Sequence, residues 1–520
     1  MALRVPVTFE PQGITVWVES GVPLTLAAEV AGVSVALPCG GRGICGGCAV
    51  KVAKGALASP AESECAMLRR APEGVRLACQ ARVSGAVTVS VLQNDPREKV
   101  CAFKSPGFEG PPVIAIDCGS TMITVLVADS ATGLQHSRAS VINGQAGLGA
   151  DIVSRVDLGL RGHGSELQAA ITKSLSCALE SACATAGIDL PDVQRTTVVG
   201  NPVMIATLLG ADLSGFAAAP YLIPEQVKHP VHTEPLAHIL GLSSEIFIVP
   251  PIASFVGGDM VAGLFASGVD RQTQHTLYLD IGTNAELALV HDGRITVTSV
   301  PAGPAFEGHG IAYGGVFGEG AVTGARLGDH DILLEVEGAS TPKRLCGSGL
   351  VSVITLLRQA GHIDAAGRVW PQGPLGYRFK RIQEELAFAL GEDGSGPYVF
   401  QGDVRAFQLA KAAVLAGVRS LIEKSGVSVR HTIVSGAFGG AVTAKQMMRL
   451  GIIPSDTGEV RVFNDAALLG AMALALSPDS ISGFEDLYEI MAHEELATSD
   501  LFKRAFVDAT SLEPWEGAHP

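Results

Sequence analysis

The sequence predicts a small α+β domain over residues 1–93, followed by a larger α/β protein built from two similar lobes. Three observations carry this. A cysteine-rich loop, Cys39-Gly-Gly-Arg-Gly-Ile-Cys45-Gly-Gly-Cys48, lies among short alternating strands, and a fourth cysteine, Cys79, follows. A stretch rich in Pro, Gly and charge, residues 94–112, separates that region from the rest. Beyond it, an apolar strand running into an Asp-x-Gly turn occurs twice, at 113–121 and at 276–284.

Composition narrows the class. The chain has 520 residues, 47% hydrophobic and 17% charged, which fits a well-buried globular protein and excludes a disordered one. Net charge is −15 without a basic tail or stripe, so neither nucleic acid nor an anionic membrane is an expected partner. The N-terminus lacks a basic region followed by an apolar one, and the apolar run at 466–476 is too short to span a bilayer. The expected location is the cytoplasm, where ten cysteines favour a metal site over a disulfide framework.

In the first domain, residues 5–9 and 14–18 alternate as two strands around a Pro-Gln-Gly turn, and 24–30 reads as a helix. Residues 49–52 and 87–91 read as further strands. Cys39, Cys45 and Cys48 come from one loop and Cys79 from a distant segment. A 2Fe-2S cluster needs four thiolates on two irons, and glycines 40, 41, 43, 46 and 47 let the backbone wrap it closely. Zinc is the competing reading, but zinc ribbons pair two short C-x-x-C knuckles and only one is present. Cys65 reads as a packing residue.

In the larger part, residues 113–268 are expected to form lobe 1 and 269–480 lobe 2, with the helix near 466–476 returning to lobe 1 and 481–520 a C-terminal tail. Asp117-Cys-Gly119-Ser120-Thr121 and Asp280-Ile-Gly282-Thr283-Asn284 each end a buried strand. Glycine and hydroxyl residues present donors to phosphate oxygens, and each aspartate can hold Mg2+ through water. A third strand enters the Gly-rich turn Gly436-Ala437-Phe438-Gly439, which by itself reads as an ordinary βα turn and, beside the two Asp-x-Gly turns, as one passing beneath adenine and ribose. Residues 464–471 form a small-residue helix able to pack closely on a partner.

The first unit resembles plant- and adrenodoxin-type ferredoxins, which have a β-grasp fold; the five-residue gap between Cys39 and Cys45 is similar to the adrenodoxin-like and corrinoid-activator branches. The order of the later elements resembles the actin, Hsp70 and sugar-kinase superfamily (the ASKHA fold), whose RNase H-like lobes hold ATP. That resemblance implies catalytic roles for Asp117 and Asp280. It also implies nucleotide contacts from Gly119, Ser120, Thr121, Gly282, Thr283, Asn284 and the turn Gly436–Gly439.

The fusion itself resembles the reductive activators of corrinoid proteins, as do the stretches 149–155, 199–204, 255–259, 302–308, 346–350 and 403–411. It implies an ATP-hydrolysing enzyme that returns an inactive Co(II) corrinoid protein to Co(I) by one-electron transfer in a methyl-transfer pathway. A low-potential external reductant and a possible homodimer go with it. Plant-type clusters sit near about −400 mV, above the expected corrinoid potential, and each ~100 mV of deficit costs about 2.3 kcal/mol per electron. The ATPase would supply that drive. Two alternatives stand beside this: an ATP-gated electron carrier, and a dehydratase-activator-like protein for another low-potential enzyme. Asp259 and Glu307 are candidates for positioning the attacking water. Asp151 and Arg155 could be a plain i,i+4 surface pair, and His309 a satisfied loop histidine.

Overall fold

The computed structural model describes residues 4–10, 13–31, 33, 35, 48–60, 64, 74–91, 107–149, 151–229, 231–272, 274–315, 317–328, 331–338, 341–382, 384–391, 394–436, 442–477, 480–496 and 499–516. Two compact units emerge. Unit 1 takes residues 1–270 and 465–490; unit 2 takes 271–464 and 491–520.

The N-terminal part of unit 1 is a five-stranded sheet of β1 (Arg4–Glu10), β2 (Ile14–Glu19), β3 (Ala49–Leu57), β4 (Val75–Leu77) and β5 (Val83–Val91), in the order β2-β1-β5-β3-β4. Alternation along β1 sends Val5, Val7 and Phe9 inward. The helix Leu24–Val30 adds Leu24, Ala27 and Ala28 to the same core. β1 pairs antiparallel with β2 and parallel with β5. This is the β-grasp arrangement the cysteine domain predicts.

The rest of unit 1 is built on β6 (Pro112–Cys118), β7 (Met122–Asp129), β8 (Gln135–Ile142), β9 (Arg195–Gly200), β10 (Val231–Thr233) and β11 (Ile246–Ile248), ordered β10-β11-β9-β6-β7-β8. β6 is buried at nearly every position because neighbours flank it and helices cover the sheet. Unit 2 is built on β12 (Thr276–Ile281), β13 (Ala285–His291) and β14 (Arg294–Val300). Two small sheets follow: β15 (Ala321–Leu327) with β16 (Ile332–Val336) and β17 (Arg344–Leu345), then β18 (Phe379–Ile382) with β19 (Glu385–Ala389) and β20 (Tyr398–Phe400). β21 (His431–Gly436), β22 (Glu459–Val462) and β23 (Met491–His493) complete the main sheet, β22-β21-β12-β13-β14-β23.

The two main sheets repeat one plan. A three-stranded antiparallel meander, β6-β7-β8 or β12-β13-β14, has a later strand added parallel to its first member, β9 or β21. Each Asp-x-Gly turn is the first hairpin of its meander.

Helix Ala466–Leu476 packs on helix Gly258–Ser267 in unit 1, as its small residues predict. Gly470 lies so close to Ala262 O that a Cβ there would stand 2.1 Å away. Residues 481–520, expected from sequence to be a C-terminal tail, contribute to both units. In unit 1, Tyr488 donates to Pro250 O at 2.6 Å. In unit 2, β23 extends the sheet beside β14, and the last turns lie along helix Gln401–Ser425. There the buried Lys411 donates to Ser511 O at 2.5 Å, and burial pushes its ammonium down to about 7. Among the described residues no helix is long and apolar enough to cross a membrane.

Candidate functional site

Two of the four predicted cluster ligands are described, and they meet. Cys48 follows directly from the loop into β3, where the apolar Val50 anchors the strand. Cys79 lies in the turn after β4. Ala78 N–H donates to Cys48 O at 2.9 Å, which ties the two segments together. Arg76 forks onto the buried Glu64 with both contacts at 2.8 Å, and Leu77 N–H adds a third bond at 2.9 Å. The Cys48 and Cys79 sulfurs stand 3.2 Å apart and are not bonded as a disulfide. Two thiolates on one tetrahedral metal with bonds of about 2.3 Å would stand about 3.8 Å apart, so the two thiols lie within reach of a common metal but would have to move apart to share it. Cys39, Cys45 and the loop glycines lie outside the described residues, as does Cys65.

The first Asp-x-Gly turn joins β6 to β7. A Cβ on Gly119 would lie 2.6 Å from Met122 O, so only glycine closes this turn. Behind it sits a buried polar network. Asn143 donates to Gly119 O at 3.0 Å, and Arg155 donates to Ser120 O at 2.8 Å and to Gly149 O at 2.9 Å. A trans peptide sets each carbonyl opposite the next N–H. Drawing both carbonyls inward therefore directs the N–H groups of Ser120 and Thr121 away from the protein interior. Arg155 is not a surface partner of Asp151: it is 1% exposed, while Asp151 caps its own helix through Ser154 N–H at 2.7 Å.

Asp117 and Asp259 share the end of β6. Both charges act on the Cys118 thiol between them, which burial, Asp117 and Asp259 in turn push far above its ordinary value. Cys118 is thus a packing residue. Asp259 opens helix Gly258–Ser267, and burial raises its carboxyl to about 6, against a bond from Met260 N–H at 2.8 Å.

The second turn joins β12 to β13. Glu307 accepts from Thr283 N–H at 2.7 Å, and Gly303 N–H donates to Thr283 O at 2.7 Å. The N–H assigned by sequence to a phosphate therefore carries a carboxylate oxygen, an anion of the same kind. The third motif arrives through the parallel pairing of β12 with β21, which sets Ile281 opposite Gly436. Gly436 has φ +94°, and a Cβ there would lie 2.3 Å from Ile281 O and 2.7 Å from Asp280 Oδ1. Only glycine lets the strand end this close to the aspartate. Ala437, Phe438 and Gly439 lie outside the described residues. His309 is exposed.

Unit 1 thus brings Asp117, Gly119, Ser120, Thr121 and Asp259 to one strand end, and unit 2 brings Asp280, Gly282, Thr283, Asn284, Glu307 and Gly436 to another. Sequence reasoning missed Asn143 and the buried role of Arg155. The stretches at 149–155 and 199–204 held a signal for the latter: Met204 Sδ lies 3.3 Å from Arg155 and 3.5 Å from Asn143.

Comparison with known proteins accounts for nearly the whole chain. Residues 7–84 match the 2Fe-2S iron-sulfur cluster binding domain, 113–272 the RACo middle region, and 274–518 the C-terminal domain of RACo, the ASKHA domain. The stretch read from sequence as the first lobe is therefore the one known as the middle region. The corrinoid activation enzyme RamQ of Eubacterium limosum is 28% identical over 413 residues, 76% of this chain and 69% of its own. The Co(II) methylated amine-specific corrinoid protein reductase of Methanosarcina barkeri is 27% identical over 372 residues, 64% of this chain and 65% of its own. The chain thus spans about two thirds of the length of either relative. The solved structure of a reductive activator for a corrinoid, iron-sulfur protein superposes over 98% of both chains with a TM-score of 0.73 at 22% identity, which shows the shared fold. With a 2Fe-2S domain in front and the two RACo regions running from residue 113 to residue 518, the chain belongs to the RACo family.

Proposed function

We propose that the protein is an ATP-hydrolysing electron-transfer enzyme that returns a Co(II) corrinoid protein to Co(I) in a methyl-transfer pathway. The observation that carries this is the union, in one chain, of two thiols within reach of a common metal with two glycine-closed Asp-x-Gly turns on repeated sheets. The names of both curated relatives point the same way.

In this reading Cys39, Cys45, Cys48 and Cys79 hold a 2Fe-2S cluster, which when bound takes up and passes on one electron at a time. Asp117 and Asp280 orient Mg2+ through its waters. Gly119, Ser120 and Thr121 donate to phosphate oxygens from one turn, and Gly282, Thr283 and Asn284 from the other, with Thr283 using its hydroxyl while Glu307 occupies its N–H. Gly436, Ala437, Phe438 and Gly439 pass beneath adenine and ribose. Arg155 and Asn143 keep the first turn's donors outward. A low-potential reductant supplies the electron, and ATP hydrolysis supplies the drive. The protein acts in the cytoplasm, as a homodimer.

Asp259 is the better candidate to take a proton from the attacking water, because burial raises its carboxyl to about 6, closer to the working pH of a base than an ordinary carboxylate. A carboxyl near 6 is ionised at neutral pH and protonated below it. Hydrolysis should therefore fall as pH drops through about 6, by about tenfold per unit once the group is mostly protonated. Asp259→Asn should lose that acid limb along with roughly a hundredfold in rate. An unchanged pH profile in Asp259→Asn would exclude it as the base.

The reading is tested by mixing the anaerobic protein, a low-potential reductant and a Co(II) corrinoid protein with and without ATP. Co(I), seen by its absorption, should form only with ATP. Failure to form Co(I) with any corrinoid partner offered would leave the gated-carrier alternative.

A further inference from the structure

Glu307 is brought to the second turn by a rigid piece of backbone. It ends the 3-10 turn Pro304–Glu307, between Gly303 (φ 82°) and Gly308 (φ 77°), both in the left-handed region. Gly308 N–H donates to Ala305 O at 3.1 Å and His309 N–H to Pro304 O at 3.0 Å, which closes the turn. Phe306, the residue before it, is fully buried and stands edge-on to Phe407 with ring centroids 5.9 Å apart. Phe306 O presses so close to helix Gly347–Gln359 that a Cβ on Gly347 would lie 1.6 Å from it. The carboxylate is therefore placed from the core of unit 2 and not from a loose loop.

The place it reaches is shaped for an anionic oxygen. Oε1 accepts from Thr283 N–H at 2.7 Å, the short distance of a charge-assisted bond. A Cβ on Gly282 would stand 3.1 Å from that oxygen, so glycine gives the carboxylate room. Thr283 O is held as well, by Gly303 N–H at 2.7 Å, so one short segment grips both backbone groups of Thr283. The two turns differ in this respect. Donors meet the first, Asn143 and Arg155 on its carbonyls, whereas an acceptor meets the second. Carboxylate and phosphate oxygens ask the same of an N–H, and one N–H serves only one of them well.

We propose that Glu307 is an autoinhibitory acceptor, which stands in for a phosphate oxygen on Thr283 N–H and so weakens the hold of the second turn on nucleotide. While it is in place, the turn meets phosphate with the Thr283 hydroxyl and with a like charge close by, and both oppose tight binding of a polyanion. The consequence is ready release of ADP after hydrolysis, the step that limits many turnovers. The proposal rests on the assignment of the second turn to phosphate.

The test is binding of ADP to the full-length protein, measured by calorimetry with Mg2+ and again in EDTA, for wild type, Glu307→Ala and Glu307→Gln. Hydrogen exchange of the segment 280–285 is followed alongside. Removing the carboxylate returns one charge-assisted bond to the phosphate, so Glu307→Ala should bind ADP about tenfold tighter in both media. Glu307→Gln keeps an acceptor of the same size without the charge, and should fall between Glu307→Ala and wild type. It carries the same sign should Glu307→Ala fail to fold. Without nucleotide, the segment should exchange faster in Glu307→Ala than in wild type, and ADP should restore its protection. A merely structural contact would lower thermal stability and leave ADP bound no more tightly. Folded variants that bind ADP as wild type does, or more weakly in both media, overturn the proposal and leave the nucleotide site standing. Weaker binding in Mg2+ alone also overturns it, and marks Glu307 as a group acting on the waters of the metal. Wild type and variants that all bind no nucleotide overturn the site assignment as well.

Discussion

Asp280→Ala should lose ATP hydrolysis by roughly a hundred- to a thousandfold, the scale for removing a group that organises charge at a phosphoryl centre, and keep its full iron content. Asp280 ends β12, is half-buried, and touches the space beside Gly436 that no side chain can enter. Its removal leaves the β12–β21 ladder intact, because that ladder is made by backbone groups. The loss should therefore fall on Mg2+ placement and not on folding, and Asp280→Asn, which keeps the volume, should behave the same way. Asp117→Ala should act in the same direction from the other turn. Undiminished hydrolysis in both variants would remove the assigned nucleotide site.

Cys48→Ala should have an equally large effect on the other half-reaction. Purified anaerobically, wild type should carry two irons per chain and give an EPR signal only after one-electron reduction. The variant should carry neither iron nor signal, and should transfer no electron while still hydrolysing ATP. Cys48 is 1% exposed and lies 3.2 Å from the Cys79 sulfur, so no other described thiol can take its place. Cys65→Ala should leave iron and signal unchanged. Zinc as the sole metal of the anaerobic protein would contradict the cluster assignment.

Much of this was legible because the sequence marks strand ends. The apolar runs at 113–116 and 276–279 become the buried strands β6 and β12, and each aspartate follows directly on its run. The small residues of 466–476 likewise forecast a close helix contact. Arg155 was not legible. Four residues from Asp151, it has the spacing of a surface pair, and only the packing of helix Ile152–Leu158 against the sheet turns it inward beneath Ser120. Asn143 follows the end of β8 with nothing local to distinguish it. Within the stretch read from sequence only as a tail, a helix stops at Ile490 and Met491–His493 become an edge strand. Three residues are too few for any period to show, and their partner β14 is remote in sequence.

The most direct measurement is the yield of Co(I) on a corrinoid protein, recorded across a series of reductant potentials with ATP present, with ATP absent, and with Asp280→Ala in place of wild type. If ATP turnover drives an uphill electron, wild type with ATP should reach Co(I) at potentials where the other two mixtures remain Co(II), and all three should converge only with the strongest reductants. Equal Co(I) at every potential, with and without ATP, would contradict a role for the ATPase in that transfer.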